Sequence, residues 1–320
     1  MAQIVLWTLV FIISLAFLIK ASDMFTVSAE KIGLYLGIPP FIIGVTIVSI
    51  GTSLPELVSS IFAVVNNSSE VVIGNVIGSN ITNIFLVLGI TAIVGRKINI
   101  RFELINVDLP LFVGSTFLLI LILQDSAITI IEALLLLSTL IIYLLYTVRQ
   151  DEAHEGEDIV QDLEQELKKE LKMDKKAILL MVTSAVIIYF SAEYTIKSII
   201  HLSEIINVGK EIIAITVMAL GTSLPELVVS IQAARRGKSE IAVGNVLGSN
   251  IFNTCAVTAI PSLIGPLVIP PMILSFGIPV LLVATFLYLF ITQDKQITQW
   301  EGWLLVIFYI FFVGKIIAVI

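Results

Sequence analysis

Glu56 and Glu226 end identical hexapeptides, Gly51-Thr-Ser-Leu-Pro-Glu56 and Gly221-Thr-Ser-Leu-Pro-Glu226, set 170 residues apart in otherwise apolar surroundings. On a helix each glutamate falls three and four residues after a Ser and a Thr, so Glu56 shares a face with Ser53 and Thr52, and Glu226 with Ser223 and Thr222. Pro55 and Pro225 remove a backbone donor and crowd the preceding turn, which Gly51 and Gly221 loosen. Carbonyls around Ser49 and Ala219 are therefore expected to be freed for other partners. A second pair keeps the same offset: Gly74-Asn-Val-Ile-Gly-Ser-Asn80 and Gly244-Asn-Val-Leu-Gly-Ser-Asn250. It adds Asn75, Ser79 and Asn83 in the first half and Asn245, Ser249 and Asn253 in the second. Its glycines have the spacing that lets membrane helices approach closely.

Carboxylate, hydroxyl, amide and carbonyl oxygens without His or Cys describe a site for a hard cation such as Ca²⁺, Na⁺, Mg²⁺ or Mn²⁺, not for Zn²⁺ or Cu⁺. A charged glutamate near a bilayer centre costs about 2.5 kcal/mol or more, and no Lys, Arg or His falls at matching depth. A protonated, hydrogen-bonded structural acid is the plain reading. A bound metal cation or a proton accounts better for two acids in matching oxygen-rich settings. Their joint charge of −2 matches one Ca²⁺ or two Na⁺, and leaving them bare sets two like charges against each other in a poorly screened interior. A transporter able to cross between its open states only when loaded would exchange one cation for another.

The elements holding these groups must cross a membrane. The 320-residue chain is 58% hydrophobic and only 13% charged, with mean hydropathy +1.05, too little polar surface for a soluble globule. Apolar stretches near spanning length fall roughly at 4–21, 41–65, 71–94, 107–123, 127–147, 176–200, 211–234, 240–264, 272–291 and 300–320. The expected fold is an all-α polytopic membrane protein of ten transmembrane helices in two inverted five-helix repeats. The first half is 1–147 with its motif repeat at about 41–94. An acidic cytoplasmic connection, 148–175, leads to the second half, 176–320, with its motif repeat at about 211–264. An odd number of spans per half inverts the second half, as in many secondary transporters. With both termini outside, fifteen of the eighteen Lys and Arg lie on the cytoplasmic side, leaving Lys197, Lys210 and Lys315 outside.

Residues 151–175 hold ten acids and four lysines, the main source of the formal net charge of −7. Ile159, Leu163, Leu167 and Leu171 suggest a short amphipathic helix there, read as a solvated linker. The first apolar run has no basic leader or small-residue cleavage site and is taken as span 1. Trp7, Trp300 and Trp303 fit interfacial anchors. Asp23 and Glu193, also 170 apart, are placed at helix ends; His154 and His201 receive no role. The single Cys255 excludes an intrachain disulfide and reads as a packed core thiol. An enzyme is disfavoured, because Ser53 and Ser223 have no base nearby beyond the glutamates. A passive cation channel is the remaining alternative, and fused halves suit a moving pseudo-twofold machine better. No cofactor, nucleic acid or obligate protein partner is expected; the partners are transported ions and the lipid bilayer.

The paired Gly-Thr-Ser-Leu-Pro-Glu and Gly-Asn-Val-Ile/Leu-Gly-Ser-Asn motifs resemble the cation/Ca²⁺ exchanger superfamily, in particular its prokaryotic sodium/calcium exchanger branch. The resemblance implies that spans 2, 3, 7 and 8 enclose the ions while spans 1 and 6 slide across them. It implies that Glu56 and Glu226 bind Ca²⁺ and, in turn, Na⁺. Thr52, Ser53, Thr222, Ser223, Ser79 and Ser249 would add Na⁺ ligands together with the backbone oxygens of Ser49 and Ala219, and Asn83 would complete the third corner of a diamond. Asn253 departs from the pattern, since several exchangers of this branch carry Asp there. That departure bears on Na⁺ stoichiometry, affinity and pH response, and weighs against K⁺ co-transport. Proton/calcium relatives typically carry Asn and Ala before the Glu, where this chain has Leu-Pro, but proton coupling stays open as the rival. A connection of about 28 residues leaves no room for a soluble Ca²⁺-sensing domain.

Overall fold

A computed structural model of the chain describes residues 2–65, 67, 69–100, 107–124, 127–153, 175–205, 221 and 223–316. The expected amphipathic linker helix therefore lies outside the described residues, as do Ala219 and Thr222. The described elements run α1 (Ala2–Leu36), α2 (Pro40–Ile43, Gly44–Val48 and Ser49–Val65) and α3 (Glu70–Thr82, Asn83–Leu88 and Gly89–Gly95), then β1 (Lys97–Asn99), α4 (Asp108–Ile122) and α5 (Ile130–Ala153). The second half gives α6 (Lys175–Ile205), α7 (Leu224–Arg235) and α8 (Ser239–Phe252, Asn253–Val257 and Thr258–Ile264), followed by α9 (Ile273–Gly277 and Ile278–Gln293), β2 (Gln296–Thr298) and α10 (Gln299–Ile316). Eight helical stretches are long and apolar enough to cross a membrane; α4 is a shorter apolar helix, and α7 is the described part of the span expected at 211–234. The chain is a multi-pass membrane protein.

Burial sorts these helices. α3 and α8 are the most enclosed, whereas α1 has only 17% of its spanning window buried and turns Leu6, Phe17 and other large apolar side chains outward. This is the pattern of a helix solvated by lipid on most of its surface. α1 packs along α6. Trp7 stacks on His201 with ring centroids 4.0 Å apart, and Thr195 Oγ1 donates to Ser14 Oγ at 2.9 Å within the pair. Trp7 is thus more than a surface anchor, and His201 belongs to a helix, not a loop.

Asp23 and Glu193 lie inside their helices, not at the ends expected. The reason is α1's length: residues 22–36 contain no helix breaker, and the helix stops only where Gly37 adopts φ +77° ahead of Pro39 and Pro40. Asp23 pairs with Arg236, and Glu30, seven residues on, pairs with Lys238, so α1 is tied twice to the turn between α7 and α8. Glu193 instead pairs with Lys197 of its own helix at 2.6 Å.

Two features outside the motifs went unread in the sequence. Thr129 and Glu132 form a reciprocal capping box at the start of α5, and Thr298 and Glu301 form the same box at the start of α10. Their spacing of 169 misses the 170-residue offset by one, which is why aligning the motifs does not show it. A short antiparallel ladder pairs Lys97 with Thr298 and Ile98 with Ile297. It adds a small strand element to the helical fold and fastens the α3–α4 connection to the α9–α10 turn.

Asp108 is a further buried acid. It accepts a hydrogen bond from Tyr143 Oη at 2.9 Å, and its other oxygen has no partner among the described residues. In the sequence it looks like an ordinary acid in a helix's first turn. Tyr143→Phe removes the donor and is expected to cost about 1–3 kcal/mol. Thermal unfolding in detergent should show a lowered melting temperature, with Tyr189→Phe, at an exposed position, as the neutral control.

Candidate functional site

The candidate site lies where α2, α3, α7 and α8 meet. Pro55 stays inside the helical segment Ser49–Val65 but gives no N–H to the carbonyl one turn earlier. Just before that segment α2 widens into a π turn over Gly44–Val48. The carbonyl expected to be freed at Ser49 accepts from Thr52 Oγ1 at 3.3 Å. In the second half the described part of α7 begins at Leu224, so Pro225 sits in its first turn, where a missing N–H costs no helix bond.

Asn83 opens the π segment of α3, and Asn253 opens that of α8. A π turn inserts one residue and re-aims the side chains around it, which is why such turns gather at functional sites. The two interruptions stand at repeat-equivalent positions, so both halves build the same distortion at the same corner. Neither Asn83-Ile-Phe-Leu-Val-Leu88 nor Asn253-Thr-Cys-Ala-Val257 carries a residue pattern that would announce it.

Ser49, Thr52, Ser53, Glu56, Ser79, Asn83, Ser223, Glu226, Ser249 and Asn253 are each at most 2% exposed. Contacts between the halves hold them together. Ser53 Oγ donates to Glu226 Oε1 at 3.1 Å, and Thr52 Oγ1 donates to Asn245 Oδ1 at 3.2 Å. Asn80 Nδ2 donates to Thr254 Oγ1 at 2.8 Å and approaches the Asn250 carbonyl at 3.4 Å, pinning α3 to α8. Since Ser53 lies one turn before Glu56, its bond to Glu226 brings the two carboxylates into one neighbourhood.

Eight buried polar atoms of this group have no hydrogen-bond partner among the described residues: both oxygens of Glu56, Oε2 of Glu226, both amide atoms of Asn83 and of Asn253, and Oγ of Ser223. Each such atom costs about 1–3 kcal/mol if nothing satisfies it. Six of the eight are oxygens, and six to eight oxygens at a flexible site are what Ca²⁺ takes. The remaining hydroxyls are engaged locally: Ser79 donates to Asn75 Oδ1 at 3.4 Å and Ser249 to Asn245 Oδ1 at 3.5 Å, while Ser49 donates to the Val45 carbonyl. Asn245 is the site-adjacent residue whose part was not legible beforehand, although its recurrence with Asn75 was the available signal.

The second-motif glycines set the helix spacing. A Cβ on Gly244 would overlap the Phe41 carbonyl, and one on Gly248 would overlap the Val45 carbonyl, so α8 lies directly against the backbone of α2. For Gly74 and Gly78 no described atom lies within 4 Å of such a Cβ. Cys255 is buried in α8, as expected for a core thiol.

Two carboxylates and a ring of oxygen donors, buried among helices of two matching halves, define a membrane cation transporter. Comparison with known proteins places it further. The sequence profile of the family described as sodium/calcium exchanger protein matches residues 6–149 and 176–317, and the chain belongs to that family, in the prokaryotic branch of the cation/Ca²⁺ exchangers. It is 33% identical to the sodium/calcium exchanger MaX1 of Methanosarcina acetivorans, over 95% of this chain and 96% of that protein. It is 31% identical to the inner membrane protein YrbG of Escherichia coli, over 88% and 87%. Among solved structures, the sodium-calcium exchanger NCX_Mj soaked with zero Na⁺ and Ca²⁺ matches with a TM-score of 0.79 and 29% identity, covering 98% of this chain and 99% of that one. The fold is thus the ten-helix exchanger fold.

Proposed function

We propose that the protein is a secondary active antiporter that exchanges Na⁺ for Ca²⁺ by alternating access, with Glu56, Glu226, Asn83 and Asn253 as the corners of the ion site. Thr52, Ser53, Ser79, Thr222, Ser223 and Ser249, with the carbonyls of Ser49 and Ala219, supply further Na⁺ ligands. The observation that carries this reading is the set of unpartnered oxygens around the two buried carboxylates. No basic side chain is bonded to either glutamate among the described residues, so mobile cations are the available counter-charge. One Ca²⁺ or two Na⁺ balances the pair, and a bare pair pays for mutual repulsion and desolvation together, which disfavours crossing of the unloaded protein. The halves are those proposed from the sequence, 1–147 and 176–320 around the acidic connection, with both termini outside and that connection in the cytoplasm.

The direct test is ⁴⁵Ca²⁺ uptake by proteoliposomes loaded with Na⁺ and diluted into Na⁺-free medium, against K⁺-loaded vesicles and against an imposed pH gradient. Uptake that requires internal Na⁺ is expected. Uptake driven by the pH gradient alone would transfer the chain to proton coupling, and uptake without any counter-ion would make it a channel. Net charge movement, with Ca²⁺ export driven by the inward Na⁺ gradient, is expected to make the rate respond to an imposed membrane potential; a rate blind to potential means two Na⁺ per Ca²⁺.

Asn253→Asp adds a third carboxylate at the fourth corner. It is expected to shift the Na⁺ dependence of exchange while preserving Ca²⁺ transport. Superimposable Na⁺ response curves for the variant and the parent would refute a tuning role for this corner.

A further inference from the structure

We propose that Asn245 is a positioning residue for Na⁺ binding: its side-chain oxygen takes the protons of Thr52 and Ser249 and so turns their lone pairs toward the ion. This rests on the ion-site reading above. A hydroxyl has one proton and two lone pairs. It ligates a cation through a lone pair only when its proton points to some other acceptor, preferably one that is not itself a ligand. Orienting partners of this kind affect metal sites nearly as much as the ligands do.

The geometry supplies that acceptor. Thr52 Oγ1 has two acceptors within reach, Ser49 O at 3.3 Å and Asn245 Oδ1 at 3.2 Å. The Ser49 carbonyl is a proposed ion ligand, so in the loaded site Asn245 Oδ1 is the acceptor left for the Thr52 proton. Ser249 Oγ reaches the same oxygen at 3.5 Å, and an amide oxygen has two lone pairs for two such donors. The other end of the amide is held by its donation from Nδ2 to Ser230 Oγ at 2.9 Å. That bond sets which way the amide faces, with nitrogen toward α7 and oxygen toward Thr52 and Ser249. The side chain is fully buried and links α2, α7 and α8.

The chemistry requires an amide here. Aspartate would keep the acceptor but add a third negative charge, and leucine, of similar size, offers no acceptor. The first half holds the same parts in sequence: Asn75, Ser79, Ser60 and Thr222 stand 170 residues before Asn245, Ser249 and Ser230 and after Thr52. Ser79 donates to Asn75 Oδ1 at 3.4 Å, the counterpart of the Ser249 contact. The arrangement therefore belongs to the duplicated unit.

The test uses full-length protein in proteoliposomes and reads two quantities: the internal Na⁺ concentration for half-maximal ⁴⁵Ca²⁺ uptake and the KM for Ca²⁺. Asn245→Leu is expected to raise the Na⁺ requirement about tenfold, the worth of one oriented hydrogen bond, with KM for Ca²⁺ changed less than about twofold. Asn245→Asp, which keeps the acceptor, should hold the Na⁺ requirement at or below the parent value. Thr52→Ala combined with Asn245→Leu should be no worse than Thr52→Ala alone, because the second change then has no proton left to direct. Additive losses, an Asp variant that behaves like Leu, or equal rises in both constants would overturn the assignment. If Asn245→Leu fails to fold, Ser230→Ala frees the amide without removing its oxygen and must raise the Na⁺ requirement more than KM for Ca²⁺. Thr52→Ala and Ser249→Ala with unchanged Na⁺ dependence would instead remove the hydroxyls from the ion site, a failure distinct from a silent Asn245.

Discussion

Replacing either Glu56 or Glu226 with glutamine is expected to abolish Ca²⁺ transport. Glutamine keeps the size of the side chain and one oxygen, so the change isolates the charge. With one carboxylate left, the site's charge falls from −2 to −1, and a divalent ion placed there would be a buried, uncompensated positive charge. Removing one partner of a buried charge pair costs about 3–5 kcal/mol, which converts to a loss of roughly 10²–10³ in Ca²⁺ affinity. The same substitution relieves the repulsion between the two acids when no ion is bound. The variants should therefore be as stable as the parent protein or more so, a combination that plain structural damage would not produce. Na⁺-driven ⁴⁵Ca²⁺ uptake and thermal unfolding, measured on the same preparations, check both halves of the expectation. Retained Ca²⁺ transport in either variant would remove that glutamate from the site.

The second large effect is expected at Gly248, where no electrostatics is involved. A Cβ there would overlap the Val45 carbonyl and stand 2.5 Å from Ser49 Oγ and 2.8 Å from Ser49 Cβ. Backbone cannot rotate out of the way as a flexible side chain can, so Gly248→Ala must separate α8 from α2. Overpacking of this kind costs about 1–3 kcal/mol, and here the strain falls on Ser49 and, one turn away, on Thr52 and Ser53. Exchange should drop by more than about tenfold, since displacing positioning groups by an ångström is enough for losses of that order. Gly244→Ala meets the Phe41 carbonyl and the Val45 N–H, the latter at 2.9 Å, and should behave alike. Gly114→Ala on α4 meets no atom within 4 Å and gains helix propensity, so it should leave transport intact. Equal activity of the Gly248 and Gly114 variants would show that the close approach of α2 and α8 does not govern the site.

The site was legible because its residues are out of place chemically. A glutamate flanked by hydroxyls in a lipid-length apolar run has no cheap explanation, and its exact recurrence makes chance a poor one. The spans were legible from hydropathy for the same reason of cost. What stayed hidden depends on geometry without a compositional mark. The π turns at Asn83 and Asn253 are built from ordinary apolar residues, and the extension of α1 beyond residue 21 carries too many polar residues to read as membrane. Asp108 resembles any acid in a first turn until Tyr143, 35 residues later, is seen to donate to it. Asn245 was visible as a repeated amide, but only the bonds to Thr52, Ser249 and Ser230 separate an orienting role from direct ligation.

The ion pairs on α1 carry a different kind of consequence. Asp23 and Glu30 hold Arg236 and Lys238, yet the repeat-equivalent positions of those two bases are Asn66 and Ser68, and Glu30's equivalent is Ile200. Duplication copied the ion-holding chemistry into both halves and left this charged clasp in one. Exposed pairs such as these weaken as salt shields them, so ionic strength acts on one end of the molecule and has no matching handle at the other. A chain built as two copies is thus mechanically handed, with a front and a back that the ions themselves, bound among like residues from both halves, do not distinguish.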